Sequence, residues 1–312
     1  MKSTLSLIRW PNLVIIAISM IFLMLFVIDP ALGIDGFSDG MTTLQFLLLI
    51  VATILIAIGG YVINDIFDIN TDSINKAGKN VVGRSITIKQ AYTLYWITTA
   101  VGIAAGTLLS YLINQINFGL IFLFSAGLLW FYSQRYQCQP LIGNIVISIL
   151  SSISIGLVWL FEFYALSSNA SVFVNAQTNF PLVNRLVLIY MGFAFMVSFL
   201  REMVKDIEDY QGDNRFGCVT FTVKFGISAT KIVAIFLGYT SLFASVMIQY
   251  YFYHAGIIFL FSTFFIIDII FIIIIYKLHK AIDKSHYSKL ALLIKILMLC
   301  GILSMILFYF EF

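Results

Sequence analysis

Nine apolar runs, each near the length needed to cross a bilayer, dominate this 312-residue chain. A helix needs about 20 apolar residues to traverse the hydrocarbon core. Runs of that order fall at 12–28, 44–63, 92–113, 118–134, 142–166, 183–200, 230–252, 256–276 and 290–310. Only 11% of the residues are charged, against roughly 25% in a soluble domain, so the chain cannot wet a globular surface. Its 30 Phe and 16 Tyr exclude disorder just as firmly. The expected architecture is all-α: a polytopic bundle of nine transmembrane helices forming one domain over 1–312. No A-x-A-like cleavage site follows the first run, which is long enough to stay in the bilayer as a span rather than leave as a signal peptide.

The distribution of basic residues tests this count. With the N-terminus in the cytoplasm and the spans alternating, 17 of the 18 Lys and Arg residues fall on the cytoplasmic side, and only Arg185 lies opposite. A wrong number of spans would scramble that asymmetry. The bias puts the N-terminus and the long loops after the second and sixth spans in the cytoplasm, and the expected location is a bacterial or archaeal cell inner membrane. The loop around Ser167 to Pro181 carries no charge and reads as a solvated connector. Cys138, Cys218 and Cys300 are too few and too scattered for a disulfide framework or a zinc site, and read as free thiols. Gly102-x-x-x-Gly106 reads as a small-residue packing face. Asp268, in the middle of the eighth run, reads as a protonated or helix-bonded structural acid.

The acids are not spread evenly. Eight of the fifteen lie in two short segments, 65–72 and 202–213, where the second and sixth spans end. At 100° per helical residue, Asp65, Asp68 and Asp72 fall within about 60° of one another, and Glu202, Asp206, Asp209 and Asp213 form a second stripe of similar width. Glu208 lies off that stripe and is left out of the site. Seven like charges on two facing stripes repel unless a cation is present. Mg²⁺ takes oxygen ligands and is typically held by one or two carboxylates together with substrate phosphate oxygens. The pattern therefore points to a metal-bridged diphosphate, with Lys76, Lys79, Arg84, Arg201 and Lys205 close in sequence to take the remaining oxygens. An apolar pocket beneath would shelter an allylic cation, and the aromatic faces of Tyr61, Trp130 and Tyr132 could stabilise it. A cation-coupled transporter is the competing class, but transporter sites lie near the bilayer midplane rather than at one interface. Nothing in the charge pattern suggests a nucleic acid partner.

Asn64-Asp65-x-x-Asp68-x-x-x-Asp72, paired with Asp209-x-x-x-Asp213, resembles the two motifs of the UbiA-type intramembrane prenyltransferases. The resemblance covers nearly the whole chain. It extends to Arg9-Trp10-Pro11-Asn12, Tyr132-Ser133, Gly143-Asn144 and Gly217-x-x-Thr220. It implies a nine-helix bundle capped by two cytoplasmic loops that bind a polyprenyl diphosphate donor through Mg²⁺. Carried over residue by residue, Asp65, Asp68, Asp72, Asp206, Asp209 and Asp213 become catalytic positions, and the same six with Glu202 become metal ligands. Asn12, Asn64, Tyr132 and Asn144 join the cations as substrate-binding positions.

The segment from Arg201 to Asp213 looks most like the digeranylgeranylglyceryl phosphate synthases. That implies a lipid-like acceptor, geranylgeranylglyceryl phosphate or a close prenylglyceryl phosphate, alkylated to an ether-lipid precursor. An aromatic prenyltransferase of quinone biosynthesis is the alternative. Two departures stand out. The loop after Asp72 keeps its basic positions and Gly83-Arg84 but lacks the usual prolines, and Gln137 stands where a lysine is common.

Overall fold

A computed structural model describes residues 2–34, 39–75 and 80–311. Among them are nine helices long and apolar enough to span a membrane. A short α1 (Lys2–Leu7) precedes α2, which runs over Trp10–Leu32 with a π-helical stretch at Leu23–Ile28. The second span, α3 (Thr43–Phe67), continues after a bend into α4 (Ile69–Asn75). Then come α5 (Ile88–Leu112), α6 (Gly119–Gln134), α7 (Ile142–Leu166), α8 (Ala170–Ala176) and α9 (Phe180–Glu208). A bend again leads to α10 (Tyr210–Arg215) and α11 (Phe221–Phe225). The chain closes with α12 (Ile227–His254), α13 (Ile258–Lys280) and α14 (Lys284–Ser304). The uncharged connector expected at 167–181 is itself partly helical, since it holds α8.

Local chemistry explains the helix starts. Thr42 with Gln45, and Thr87 with Gln90, form reciprocal capping boxes at the heads of α3 and α5. Each satisfies backbone donors that have no intrahelical partner. Arg9 separates α1 from α2 in a left-handed conformation (φ 51°, ψ 49°). That conformation costs an L-residue roughly 1–2 kcal/mol, and Arg9 is held in it by side-chain bonds described below. Pro11 follows inside the first turn of α2, where its missing N–H is no loss.

Small residues set the close contacts. Gly102 faces Leu55 and Ile56 of α3, and Gly106 faces the ring of Phe122 on α6, so this pair is the packing face that its spacing suggests. Helix α9 sits at the centre and packs on α7, α12 and α14, while α3 packs on α5 and α6. Asp268 of α13 accepts a hydrogen bond from Ser245 Oγ of α12 at 2.6 Å, which ties two spans together. On the face opposite the two acidic motifs, Glu162 is fully buried and accepts the Met41 N–H at 2.9 Å.

The reading of all three cysteines as free thiols is corrected. Cys138 and Cys218, 80 residues apart, form a disulfide, and only Cys300 is free. The turn after α6 and the loop after α10 meet because α6 and α9 end on the same face. Cysteine count and spacing along the chain cannot register that meeting.

Candidate active site

Both acidic motifs are built alike. Asp68 caps α3 (φ −88°, ψ 7°) and Asp209 caps α9 (φ −93°, ψ 0°), so each stripe bends at the carboxylate before its last. The helical bonds persist through the bends: Asp68 N to Asn64 O (2.9 Å), Asp72 N to Asp68 O (2.8 Å), and Asp209 N to Lys205 O (2.8 Å). Helical register therefore survives, and the carboxylates keep to one side. The bends tip α4 and α10 against each other over the end of the bundle.

Asn75 locks that contact. Its Oδ1 accepts the Gly212 N–H at 2.9 Å, its Nδ2 donates to Asp213 Oδ1 at 3.4 Å, and Lys284 Nζ binds its carbonyl at 2.8 Å. A Cβ on residue 212 would lie 2.5 Å from Asn75 Oδ1, so only glycine fits without a shift. Gly212→Ala is expected to break both Asn75 bonds and to lower kcat/KM about tenfold or more, since a net hydrogen bond is worth roughly 1 kcal/mol. Steady-state kinetics beside a melting curve checks this; a fall in Tm with kcat/KM unchanged contradicts it.

Each remaining acid has a partner. Arg9 donates to Asp65 Oδ1 (2.7 Å) and Asn64 Oδ1 (3.1 Å), and lies 5.0 Å from the centre of the Tyr61 ring. Asp68 accepts from Asn64 Nδ2 (2.9 Å) and Gln137 Nε2 (2.8 Å). Asn144 donates to Asp206 (3.0 Å), Lys205 pairs with Asp209 (3.0 Å), and Arg201 pairs with Glu202. Burial weakens the charge on Arg9, but Asp65 beside it, together with Tyr61 and Asp68, outweighs burial and holds the guanidinium above its ordinary range. Burial, then the charges of Asp209 and Asp68, pushes the Asp213 carboxyl up to about 7. Negative charge is thus concentrated here, and a cation would relieve it.

The donors suit Mg²⁺: they are hard oxygens from carboxylates, flanked by Asn64 and Asn144. No three acids converge closely enough to hold a metal by themselves among the described residues. That fits an ion that takes one or two carboxylates and fills its shell with water and diphosphate oxygens.

Below the carboxylates a cavity of about 290 Å³ runs into the bundle. Arg9, Asn64, Arg201 and Glu202 line its mouth, and Phe122, Tyr190 and Met305 line it farther in. Along α7 the lining extends from Ile147 to Leu157, about 15 Å of helix. Tyr61 and Tyr132 line it as well, whereas Trp130 packs against Phe67, Tyr95 and Trp96 and is not among the lining residues.

Of the other expected positions, Asn12 faces the cavity, Asp72 is half-buried on α4, and Arg84 is exposed in the turn before α5. Lys76 and Lys79 lie outside the described residues. Three residues that motif spacing did not single out also belong here. Asn75 and Gln137 contact the acids directly, and Lys295 of α14 lines the cavity and donates to Asn12 Oδ1 at 3.2 Å.

Residues 20–300 match the model of the UbiA prenyltransferase family. The chain belongs to that family. It is an integral membrane prenyltransferase, and the transporter reading falls away. A digeranylgeranylglyceryl phosphate synthase of Sulfurisphaera tokodaii is 31% identical over 246 residues, 78% of each chain. The synthase of Methanosarcina barkeri is 29% identical over 83% of this chain and 80% of its own. A solved structure described as a digeranylgeranylglyceryl phosphate synthase in membranes superposes with a TM-score of 0.66 at 27% identity, covering 100% of this chain and 99% of the other. A UbiA homolog from Archaeoglobus fulgidus, bound to GPP and Mg²⁺, shares the fold with a TM-score of 0.56 at 15% identity, over 97% and 99% of the two chains.

Proposed function

We propose that the protein transfers a geranylgeranyl group from its diphosphate to the free hydroxyl of a prenylglyceryl phosphate. The C1–oxygen bond to the diphosphate breaks and diphosphate leaves with the electron pair, while the hydroxyl oxygen bonds to C1 and releases its proton, leaving an ether. The observation that carries this reading is the pair of bent acidic motifs above a long apolar cavity. Similarity to the named synthases across about four-fifths of the chain supports the acceptor.

Asp65, Asp68, Asp72, Glu202, Asp206, Asp209 and Asp213 would hold Mg²⁺, which supplies neutralisation of the charge that develops on the leaving diphosphate. The protein's own residues do the rest. Asn64 and Asn144 orient Asp68 and Asp206 through the bonds described above. Arg9, Arg201 and Lys205 stand at the cavity mouth or beside it, between the acids they pair with and the open space, where they can serve phosphate oxygens of donor and acceptor alike. Apolar walls keep water from the allylic cation, and the Tyr61 and Tyr132 rings line the space in which it forms.

The site loops are assigned to the cytoplasm by the 17-to-1 bias of the basic residues. The Cys138–Cys218 disulfide lies on that same face, and in the cytosol such bonds persist mainly in hyperthermophiles.

A competition assay tests the acceptor. The purified protein receives labelled geranylgeranyl diphosphate with geranylgeranylglyceryl phosphate, dihydroxynaphthoate and hydroxybenzoate together. The glycerophosphate is expected to take the label at its hydroxyl and the aromatic acids to remain untouched. Faster labelling of either aromatic acid overturns the acceptor and leaves the donor chemistry standing.

A further inference from the structure

Beside the carboxylates, and not lined by any of them, is a recess of about 530 Å³ bounded by Arg9, Asn12, Arg201, Lys205 and Lys295. Four of these five residues are cations, and no acidic side chain joins them in the lining. Three of the four already have counter-charges: Arg9 has Asp65, Arg201 has Glu202, and Lys205 has Asp209. Lys295 differs. Its ammonium donates to the neutral amide oxygen of Asn12 at 3.2 Å, and no carboxylate pairs with it among the described residues. It also lies within the last membrane-spanning helix, five residues past the start of the apolar run at 290. A charge inside a span is costly unless it serves a water-filled or ligand-filled space. A second observation points the same way: Arg201 Nε is buried with no hydrogen-bond partner. The recess therefore presents an ammonium with no described carboxylate in salt-bridge range and an unsatisfied guanidinium donor, which together call for an anion.

We infer that this recess binds the phosphate head of the acceptor and that Lys295 is the residue selecting for it. The inference rests on the proposed acceptor class. The donor diphosphate belongs with the carboxylates that hold its metal, and none of them lines the recess. Arg9, Asn12, Arg201 and Lys295 line both the recess and the apolar cavity, so a head bound in one places its hydroxyl toward the other. Leu5 and Trp10, which also line the recess, are 44% and 51% exposed. They offer an apolar and aromatic edge at interface depth, where a lipid acceptor carries its head group.

The test uses the full chain in lipid nanodiscs, with geranylgeranyl diphosphate as donor and either geranylgeranylglyceryl phosphate or its dephosphorylated alcohol as acceptor. Wild type, Lys295→Met and Lys295→Arg are compared, each checked for the same Tm. Lys295→Met is expected to raise the KM for the phosphate acceptor at least tenfold, well beyond any change in the donor KM. The preference for phosphate over alcohol, read as a ratio of kcat/KM, falls at least tenfold with it. Lys295→Arg, which keeps the charge, restores most of that preference. A rise confined to the donor KM overturns the inference by giving the recess to the donor, and an unchanged preference ratio overturns it outright. If wild type prenylates an aromatic acid and neither glycerol acceptor, the acceptor class itself has failed and the recess assignment falls with it. That outcome is read on wild type alone, before any variant is compared.

Discussion

Asp68→Asn and Asp209→Asn are each expected to lower kcat/KM by at least about 10³, or about 4 kcal/mol of transition-state stabilisation, with expression and fold intact. Both residues stand at the bends, where α3 meets α4 and α9 meets α10. Asparagine has nearly the shape of aspartate and keeps one acceptor oxygen. The bonds from Asn64 and Gln137 to residue 68, and from Lys205 to residue 209, can in part survive the change. What is lost is the negative charge that would hold a divalent cation. Glu208→Gln, one position before Asp209 but off its stripe, is the control and should stay within about threefold of wild type by the same arithmetic. Equal damage at 208 and 209 would mean that the register of α9 has been read wrongly. Retained turnover in Asp209→Asn would remove the metal from the account.

Chelation should be as severe as either substitution. With EDTA, turnover is expected to vanish, and excess Mg²⁺ should restore it. Helicity and Tm should barely change, because the fold of the site does not wait for the metal: Asp65, Asp68, Glu202, Asp206, Asp209 and Asp213 all have protein partners. This differs from a structural metal site, whose binding energy is folding energy. Loss of helicity on chelation would contradict the account, and so would turnover that persists in EDTA.

The spans were legible in the sequence because lipid admits few solutions. Every backbone group must be bonded within the helix, so an apolar run of the right length is nearly a structure already. The acidic stripes were legible for a similar reason, since their members lie within one or two turns of each other and helical geometry relates them. Gly102 and Gly106 could be read from their four-residue spacing. Residues whose roles depend on distant partners could not. Gln137 reaches Asp68 across 69 positions, Asn75 reaches Gly212 across 137, and Lys295 reaches Asn12 across 283. No local pattern encodes those meetings. The disulfide escaped notice for the same reason, since only the packing of α7 against both α9 and the turn after α6 brings residues 138 and 218 together. The bends at Asp68 and Asp209 were hidden because the helical bonds run through them and leave the periodicity intact.

On the proposed reading, the two bent motifs together hold a metal-bridged prenyl diphosphate. Binding of geranylgeranyl thiolodiphosphate, which resists ionisation, tests it directly by calorimetry on the purified protein. The account predicts Mg²⁺-dependent binding to wild type that is lost in EDTA and in both Asp68→Asn and Asp209→Asn. Binding of equal strength with and without Mg²⁺, or unchanged in either variant, would contradict it.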